Sequence, residues 1–457
     1  MFKIKKDNIF KNYFDRKTIK IIMSLAIPVI IENILQVLLG TTDTYFAGKL
    51  NSNAIAGVGV TNLIMNIYIA FFTAVGIGTT TIVSRNIGLN QPDTAANAVK
   101  QSIILTVGIS LIIGIISYIF AKPILTILGV KPEVLIYALP YFKTIAVPSV
   151  FLCLMLVLSS ALRGAGDTKT PMVVTMIANL INIVLDYILI FGFYNFKGLG
   201  ILGGGLATTI SRIIASIILL ITLSKGKTVI KLNGIRKWKI DKKLLLSISK
   251  IGIPAGVEKL IMRFGQLVYG SIIIDLGTSS YVAHNVAGTI ESYSYLPAMG
   301  FGIAAATLVG NNLGANKPEE SKKYALVSNF LSTILMVIMG IFFFITAPYL
   351  AALFTKDKEV QQLVVSVLRI IALFQPFLSL TMVISSSLQG AGDTKFPMYS
   401  TFIGIWGIRV VLGYLFAIIF KWGLVGIWLA YSFDITIRGI MLLLRFLNDK
   451  WKYIEFN

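Results

Sequence analysis

Six carboxylates interrupt stretches of this chain that are otherwise apolar: Glu32, Asp43, Asp186, Glu258, Glu291 and Asp434. An acid held away from water is costly to ionise, so such positions serve ion or proton chemistry, or pairing with a base. Asp186 has company, because Asn182 lies one turn earlier on the same helix face, at i and i+4. Asp186 follows Met172 by about 21 Å of helix at 1.5 Å per residue, which puts it in the outer half of a roughly 30 Å hydrocarbon core. Asp43 stands near the outer end of the first apolar stretch, and Thr208 about two turns inside the sixth. Four oxygen-bearing side chains, Asp43, Asn182, Asp186 and Thr208, can therefore meet at similar depth. Two chemistries are open to such a group. A carboxylate in dry surroundings disfavours its charged form, so it can take up a proton and release it when water or a competing cation arrives. Alternatively, two carboxylates with an amide and a hydroxyl oxygen form a hard-cation cage suited to Na+.

The elements that position these groups are membrane spans. The chain has 457 residues, 56% hydrophobic and only 13% charged, about half the charge of an average soluble domain. That composition excludes a soluble enzyme, a disordered chain and a disulfide-stapled secreted domain. The single cysteine, Cys153, has no intramolecular partner, and the single histidine, His284, argues against a dedicated metal cage. Since about 20 apolar residues cross a bilayer, twelve spans are expected, near residues 21–46, 54–78, 98–120, 135–159, 172–192, 201–224, 246–273, 280–304, 323–345, 361–385, 398–420 and 424–447. Gly277-Thr278 and Lys421-Trp422 mark two of the shortest links.

An even number of spans puts both termini on one side. The loops and tails of that side carry 26 Lys and Arg against 7 on the other, so by the positive-inside rule both termini are expected in the cytoplasm of a plasma (cell inner) membrane. The basic excess of the chain, +21, is thus loop charge rather than a nucleic-acid footprint. No cleavable leader is expected, because the first apolar stretch is of full span length and no small-residue cleavage site follows it. Residues 1–20 mix aromatic and basic side chains and read as an interfacial helix on the inner leaflet.

An internal repeat organises the whole chain. Residues 162–172, LRGAGDTKTPM, recur as 388–398, LQGAGDTKFPM, an offset of 226. The same offset carries Ile27-Pro28 onto Ile253-Pro254, Glu32 onto Glu258, and Thr81, Asn86, Gly88, Asn90 and Pro92 onto Thr307, Asn312, Gly314, Asn316 and Pro318. The chain is therefore an all-α polytopic protein of two homologous six-helix lobes in parallel repeat: 1–20 a cytoplasmic interfacial segment, 21–224 the first lobe, 225–245 a basic linker, 246–447 the second lobe and 448–457 a tail. Parallel halves about a membrane-normal axis can rock against each other around a site where they meet, which makes alternating access the default mechanism. The repeated GAGDTK loop reads as helix-capping chemistry, with a tight glycine turn and Asp167 or Asp393 capping the next helix.

These residues resemble the multidrug and toxic-compound extrusion (MATE) transporters. The resemblance rests on the paired GAGDT loops after the fourth and tenth spans and on residues 42–50, TDTYFAGKL, closing the first. Further matches are Ala283-His284-Asn285, residues 182–186 (NIVLD) and residues 205–209 (GLATT). It implies V-shaped lobes with a central cavity, and antiport of cationic or amphipathic organic compounds against inward H+ or Na+. It places the cation site on Asp43, Asn182, Asp186 and Thr208. From the chemistry of those acids, protonation of Asp43 and Asp186 is expected to repack the first-span region and expel substrate. No cofactor, enzymatic activity or further metal is expected, and the chain is read as a monomer whose partners are its small-molecule substrate and membrane lipid.

Repeat register sorts the remaining candidates. Asp43 and Asp186 align with Tyr269 and Leu412, so the shared fold does not require them, whereas Glu32 and Glu258 are mates that helix packing explains equally well. Glu32, Glu258, Arg263, Glu291, Tyr68, Phe71, Tyr293, Tyr295 and Met299 are weaker candidates for lining a substrate cavity. Arg263 is a positive charge expected to be neutralised by Glu258 or Glu291, or else to greet an anionic or zwitterionic substrate. His284 reads as a satisfied core residue, or as a proton relay. Part of the family carries a second cation site with acids on the seventh and tenth spans. Here residues 361–385 hold no acid. The runner-up activity, flipping of lipid-linked saccharides, would need a more cationic cavity, for which Arg163, Arg212, Arg263 and Arg409 are the available residues. A membrane-embedded enzyme lacks any catalytic constellation.

Overall fold

The structure, a computed structural model, describes residues 14–226, 229–232 and 238–454. Most of the expected N-terminal interfacial helix and part of the basic linker lie outside the described residues. The helices follow in chain order as twelve spans. They are Arg16–Leu50, Ser52–Gly88, Pro92–Ile127, Pro132–Ala146 with Ser149–Gly164, Lys169–Asp186, Ile201–Ser224, Lys242–Asp275, Thr278–Ser294 with Leu296–Gly314, Pro318–Phe354, Lys358–Gly390, Lys395–Ile419 and Gly423–Leu447. Among the described residues, nine helices are long and apolar enough to cross a membrane, and the bent fourth pair makes a tenth. The seventh and eighth spans complete the set and are the more polar ones, carrying Glu258, Lys259, Arg263, His284 and Glu291.

The helix ends follow from local chemistry. Asn51 accepts from the Ala54 N–H and caps the second span, and Asp357 accepts from the Glu359 and Val360 N–H groups and caps the tenth. Pro92, Pro132 and Pro318 open spans where a missing N–H costs nothing. Asp167 caps the fifth span through the Thr170 N–H at 3.0 Å, whereas Asp393 is held by Arg445 at 2.7 Å. The fourth span, expected as one helix, bends by 48° where Pro148 interrupts the backbone ladder. The eighth breaks at Tyr295, just before Pro297. The eleventh contains two π-helical stretches, Ile403–Val410 and Leu415–Ile419.

The repeat reaches down to the backbone. Asn90 and its mate Asn316 both end a helix in the left-handed region at φ 56°, and the N–H groups of Gln91 and Lys317 reach back to the Asn86 and Asn312 carbonyls at 2.9 and 2.8 Å. A Cβ on Gly76 would lie 2.7 Å from Ser160 Oγ, and one on its mate Gly302 would lie 2.7 Å from Ser386 Oγ. In both halves, a missing side chain lets the second helix of the half approach the fourth. Packing is of the membrane kind, with small and hydroxylated residues inside and large apolar ones outside. On the third span Thr106, Ser110, Gly114 and Ser117 are buried, while Leu111, Ile112, Ile115 and Ile119 are exposed.

The chain forms two compact units. One is Ile31–Gly256; the other is Val257–Asn457 together with the described part of Met1–Ile30. The cut points are repeat mates, each two residues past a proline, Pro28 or Pro254. In the second unit, Ile22, Leu25 and Ala26 pack in one cluster with Phe301, Ala304, Ala305, Leu308, Val327 and Val383. In the first unit the N-terminal half of the seventh span takes the corresponding seat, where a Cβ on Gly78 would touch the Ile248 carbonyl. Its start is tied to the third span, since Gln101 bonds the Lys239 carbonyl and the Asp241 N–H, and Asp241 caps the helix through the Leu244 N–H.

Candidate cation-coupling site

The first unit brings Asp43, Asn182, Asp186 and Thr208 together. Asn179, Asn182 and Asp186 lie on one face of the fifth span, at i, i+3 and i+7. Asn179 donates to the Leu35 carbonyl at 2.6 Å, fastening that face to the first span. The sixth span reaches the same face through Gly203-Gly204-Gly205. A Cβ on Gly204 would lie 3.7 Å from Asp186 Oδ1, and one on Gly205 would overlap the Thr144 hydroxyl of the fourth span. Thr209 reinforces that contact by donating to the Thr144 carbonyl at 2.6 Å. Immediately after Asp186 the helix widens to π pitch over Tyr187–Phe191 and closes in a two-stranded hairpin, β1 (Gly192–Phe193) and β2 (Phe196–Lys197). A widened turn of this kind is often found beside functional residues.

Asn182, Asp186 and Thr208 are buried, and Asp43 is half-buried. The Asn182 amide is satisfied on both sides in one orientation, donating to Asp186 Oδ2 at 2.9 Å and accepting from the Thr208 N–H at 3.2 Å. The opposite orientation would leave it a 3.4 Å contact to the Thr208 hydroxyl. Thr208 Oγ1 donates to the Gly204 carbonyl at 3.0 Å, leaving its lone pairs toward the site. The Asp43 and Asp186 carboxyl groups lie within hydrogen-bonding reach of each other. Asp186 Oδ1 is buried and has no N–H or hydroxyl donor. Tyr141 of the fourth span faces both carboxyl groups electrostatically, and Arg212 of the sixth faces Asp43. Two carboxyl groups at hydrogen-bonding distance require a proton between them, or a cation in its stead. Arg212 and Tyr141 were not part of the sequence-based set for this site. Repeat register holds the signal for the arginine, since Arg212 and Arg438 are mates.

The second unit places a different set at the corresponding positions: Tyr269, Leu412, Asp434 and Arg438 stand where the first has Asp43, Asp186, Thr208 and Arg212. Asp434 accepts from Arg409 Nε and Nη2 at 2.9 and 2.6 Å and from Arg438 Nη2 at 3.1 Å. Glu291 accepts from the Tyr431 hydroxyl at 2.7 Å, and the Arg409 guanidinium lies over the Tyr431 ring at 4.1 Å. His284 packs edge-on against Tyr269 and Trp428.

The other sequence candidates sit within their own units. Glu32 is ion-paired with Arg163 through both carboxylate oxygens, at 3.0 and 3.1 Å, and its mate Glu258 accepts from Gln389 at 2.8 Å and Thr401 at 3.3 Å. The expectation that Arg263 is neutralised by Glu258 or Glu291 is corrected. Arg263 is exposed and donates to Gln266 at 3.1 Å, because both acids already hold neutral donors of their own. Tyr68 bonds the Ser117 hydroxyl at 2.8 Å, Phe71 and Tyr293 are exposed, and Tyr295 and Met299 are half-buried at the break of the eighth span. Arg163 and Arg409, which a saccharide-pyrophosphate flippase would want free, are spent on Glu32 and Asp434.

The MatE family model matches residues 28–188 and 254–415, one copy in each half. The chain is 32% identical over 451 residues to the "Probable multidrug resistance protein NorM" of Thermotoga maritima, covering 97% of this chain and 96% of that protein. It is 26% identical over 442 residues to the "Multidrug export protein MepA" of Staphylococcus aureus, covering 96% of each. Its fold matches a solved structure described as MATE in the bent conformation, with a TM-score of 0.88 at 24% identity over 95% of this chain and 96% of that one. A matching pair of family segments in a duplicated twelve-span fold leaves one assignment: this chain is a multi-pass membrane protein belonging to the MatE family of transporters.

Proposed function

We propose that the protein is a secondary active exporter that expels cationic and amphipathic organic compounds by alternating access, in exchange for a monovalent cation held at Asp43, Asn182, Asp186 and Thr208. The observation that carries this is the meeting of two carboxyl groups within hydrogen-bonding reach in a buried setting, with one oxygen of Asp186 lacking any other donor. A shared proton satisfies that geometry most simply. Gaining it removes a charge from the protein interior; losing it restores repulsion between the carboxylates and loosens the seam between the first span and the fifth and sixth. That seam is the element by which ion occupancy acts on substrate affinity. The relatives' names, a probable multidrug resistance protein and a multidrug export protein, support the substrate class. The loop charge supports a plasma membrane location with both termini cytoplasmic. A single chain holds the whole ion site, so the working unit is read as a monomer in contact with lipid.

The test is ethidium transport by the full chain in proteoliposomes, with pH and Na+ gradients imposed separately. Asp186→Asn and Asp43→Asn are expected to lose gradient-driven transport by at least tenfold while still inserting and folding. Wild-type transport by Asp186→Asn would reject the assignment. Indifference of the unaltered protein to both gradients would reject ion-coupled export.

A further inference from the structure

Arg212 is a half-buried cation beside the acids of the first unit. It sits on the sixth span one turn past Thr208 and faces Asp43 and Tyr141 electrostatically. Its Nη1 is buried without an acceptor, and Asp186 Oδ1 in the same site is buried without a donor. A buried guanidinium N–H and a buried carboxylate oxygen each cost free energy while unpaired. The second half holds the same arginine already joined to an acid. Offset 226 carries Arg212 onto Arg438 and Thr208 onto Asp434, and Arg438 donates to Asp434 across one turn at 3.1 Å, with Arg409 adding bonds of 2.9 and 2.6 Å. The second unit's acid is thus clamped by resident guanidinium groups. The first unit keeps the arginine, has Thr208 in place of that acid, and carries its acids on the first and fifth spans instead.

Charge then limits what the site can accept. Two carboxylates and one guanidinium sum to one negative charge, so one bound proton makes the cluster neutral. A sodium ion would need several oxygens around it with a fixed positive group alongside. Among the described residues, the titratable groups facing these acids are Tyr141 from the fourth span, toward both, and Arg212 from the sixth, toward Asp43. We propose that Arg212 is the internal counter-cation of the Asp43–Asp186 pair: it leaves room for a single exchangeable positive charge, selects a proton over a metal cation, and takes the proton's place against the carboxylates once the proton has left to water. The inference rests on the reading of Asp43 and Asp186 as the coupling pair, and it makes Arg212 a positioning residue.

Two readouts test it on the full chain: protons released per ethidium bound in weakly buffered detergent solution, and ethidium transport in proteoliposomes under separate pH and Na+ gradients. The wild type is expected to release one proton and to follow the pH gradient alone. Arg212→Gln and Arg212→Met are expected to release two protons, to shift the acid limb of the transport profile about one pH unit upward, and to respond to Na+. Arg212→Lys should restore the single proton and the indifference to Na+. Two protons per ethidium in the wild type, Na+-driven transport by the wild type, or neutral variants with the wild-type proton count and pH profile would each overturn the proposal. The wild-type measurements decide the matter even where a neutral variant fails to insert. If Asp186→Asn transports normally, the coupling pair itself is wrong; if it is inactive while the Arg212 variants match wild type, only the role of Arg212 falls.

Discussion

Removing the Arg163 side chain isolates a buried acid, and the second half of the chain supplies the control. Arg163 spans both oxygens of Glu32 and adds a bond to Ser160 Oγ at 3.1 Å, with both charged side chains largely shielded. Arg163→Ala leaves Glu32 buried without its cation, which costs roughly 3–5 kcal/mol in comparable pairs. The mate of Arg163 is Gln389, which holds Glu258 through one bond of 2.8 Å, assisted by Thr401. Thr175 is the mate of Thr401 and is likewise buried. Arg163→Gln therefore installs in the first half the solution already used in the second. It should recover one hydrogen bond to a charged acceptor, about 1.5–3 kcal/mol of the loss. At roughly 2–4 °C per kcal/mol for a unit of this size, Arg163→Ala is expected to lower the thermal midpoint by about 10 °C or more, and Arg163→Gln by about half as much. The assay is thermal unfolding of purified wild type and both variants in one detergent, followed by far-UV circular dichroism. Equal losses for the two variants, or a loss of under about 1 °C for Arg163→Ala, would refute the claim that the pair answers a burial cost.

Three further outcomes are expected. Gly205→Ala places a methyl group against the Thr144 side chain and lifts the sixth span off the fourth; a loss of about 1–3 kcal/mol in unfolding, with transport falling more than stability, is the signature to measure. The Asp15 carboxyl is held below its ordinary value of 3.8, chiefly by the Lys323 hydrogen bond and then by those from Thr18. A depressed acid contributes its stabilisation above the unfolded value and loses it as pH falls through the folded one. The stability gap between wild type and Asp15→Asn should thus stay constant from pH 7 to about 5 and shrink only below about 4, as followed by unfolding midpoints across that range. Trp451 is fully buried, stacks on Phe446 at 4.7 Å and donates to its carbonyl at 2.6 Å. Trp451→Ala should cost about 3–5 kcal/mol and expose the segment after the twelfth span to limited proteolysis, while the Asp43–Asp186 chemistry keeps its pH profile.

Hydropathy along the chain determined the twelve spans, because a bilayer demands about 20 apolar residues per crossing whatever the neighbours do. Identity at one offset determined the duplication, and the structure carries that offset into backbone angles at Asn90 and Asn316 and into the contacts of Gly76 and Gly302. The burial of Asp186 beside Asn182 was legible too, since i and i+4 spacing fixes a shared helix face without reference to the rest of the fold. What each acid meets across helices was not. Glu32 and Arg163 are 131 residues apart, and Asp43 finds Asp186 only because the rotations of the first, fifth and sixth helices bring those faces together. The bend at Pro148, the clamping of Asp434 by two arginines and the exposure of Arg263 were likewise decided by packing. The reason is one of range: the membrane acts on each segment separately, whereas hydrogen bonds and ion pairs extend only about 3 Å and exist only once the helices have been set against one another.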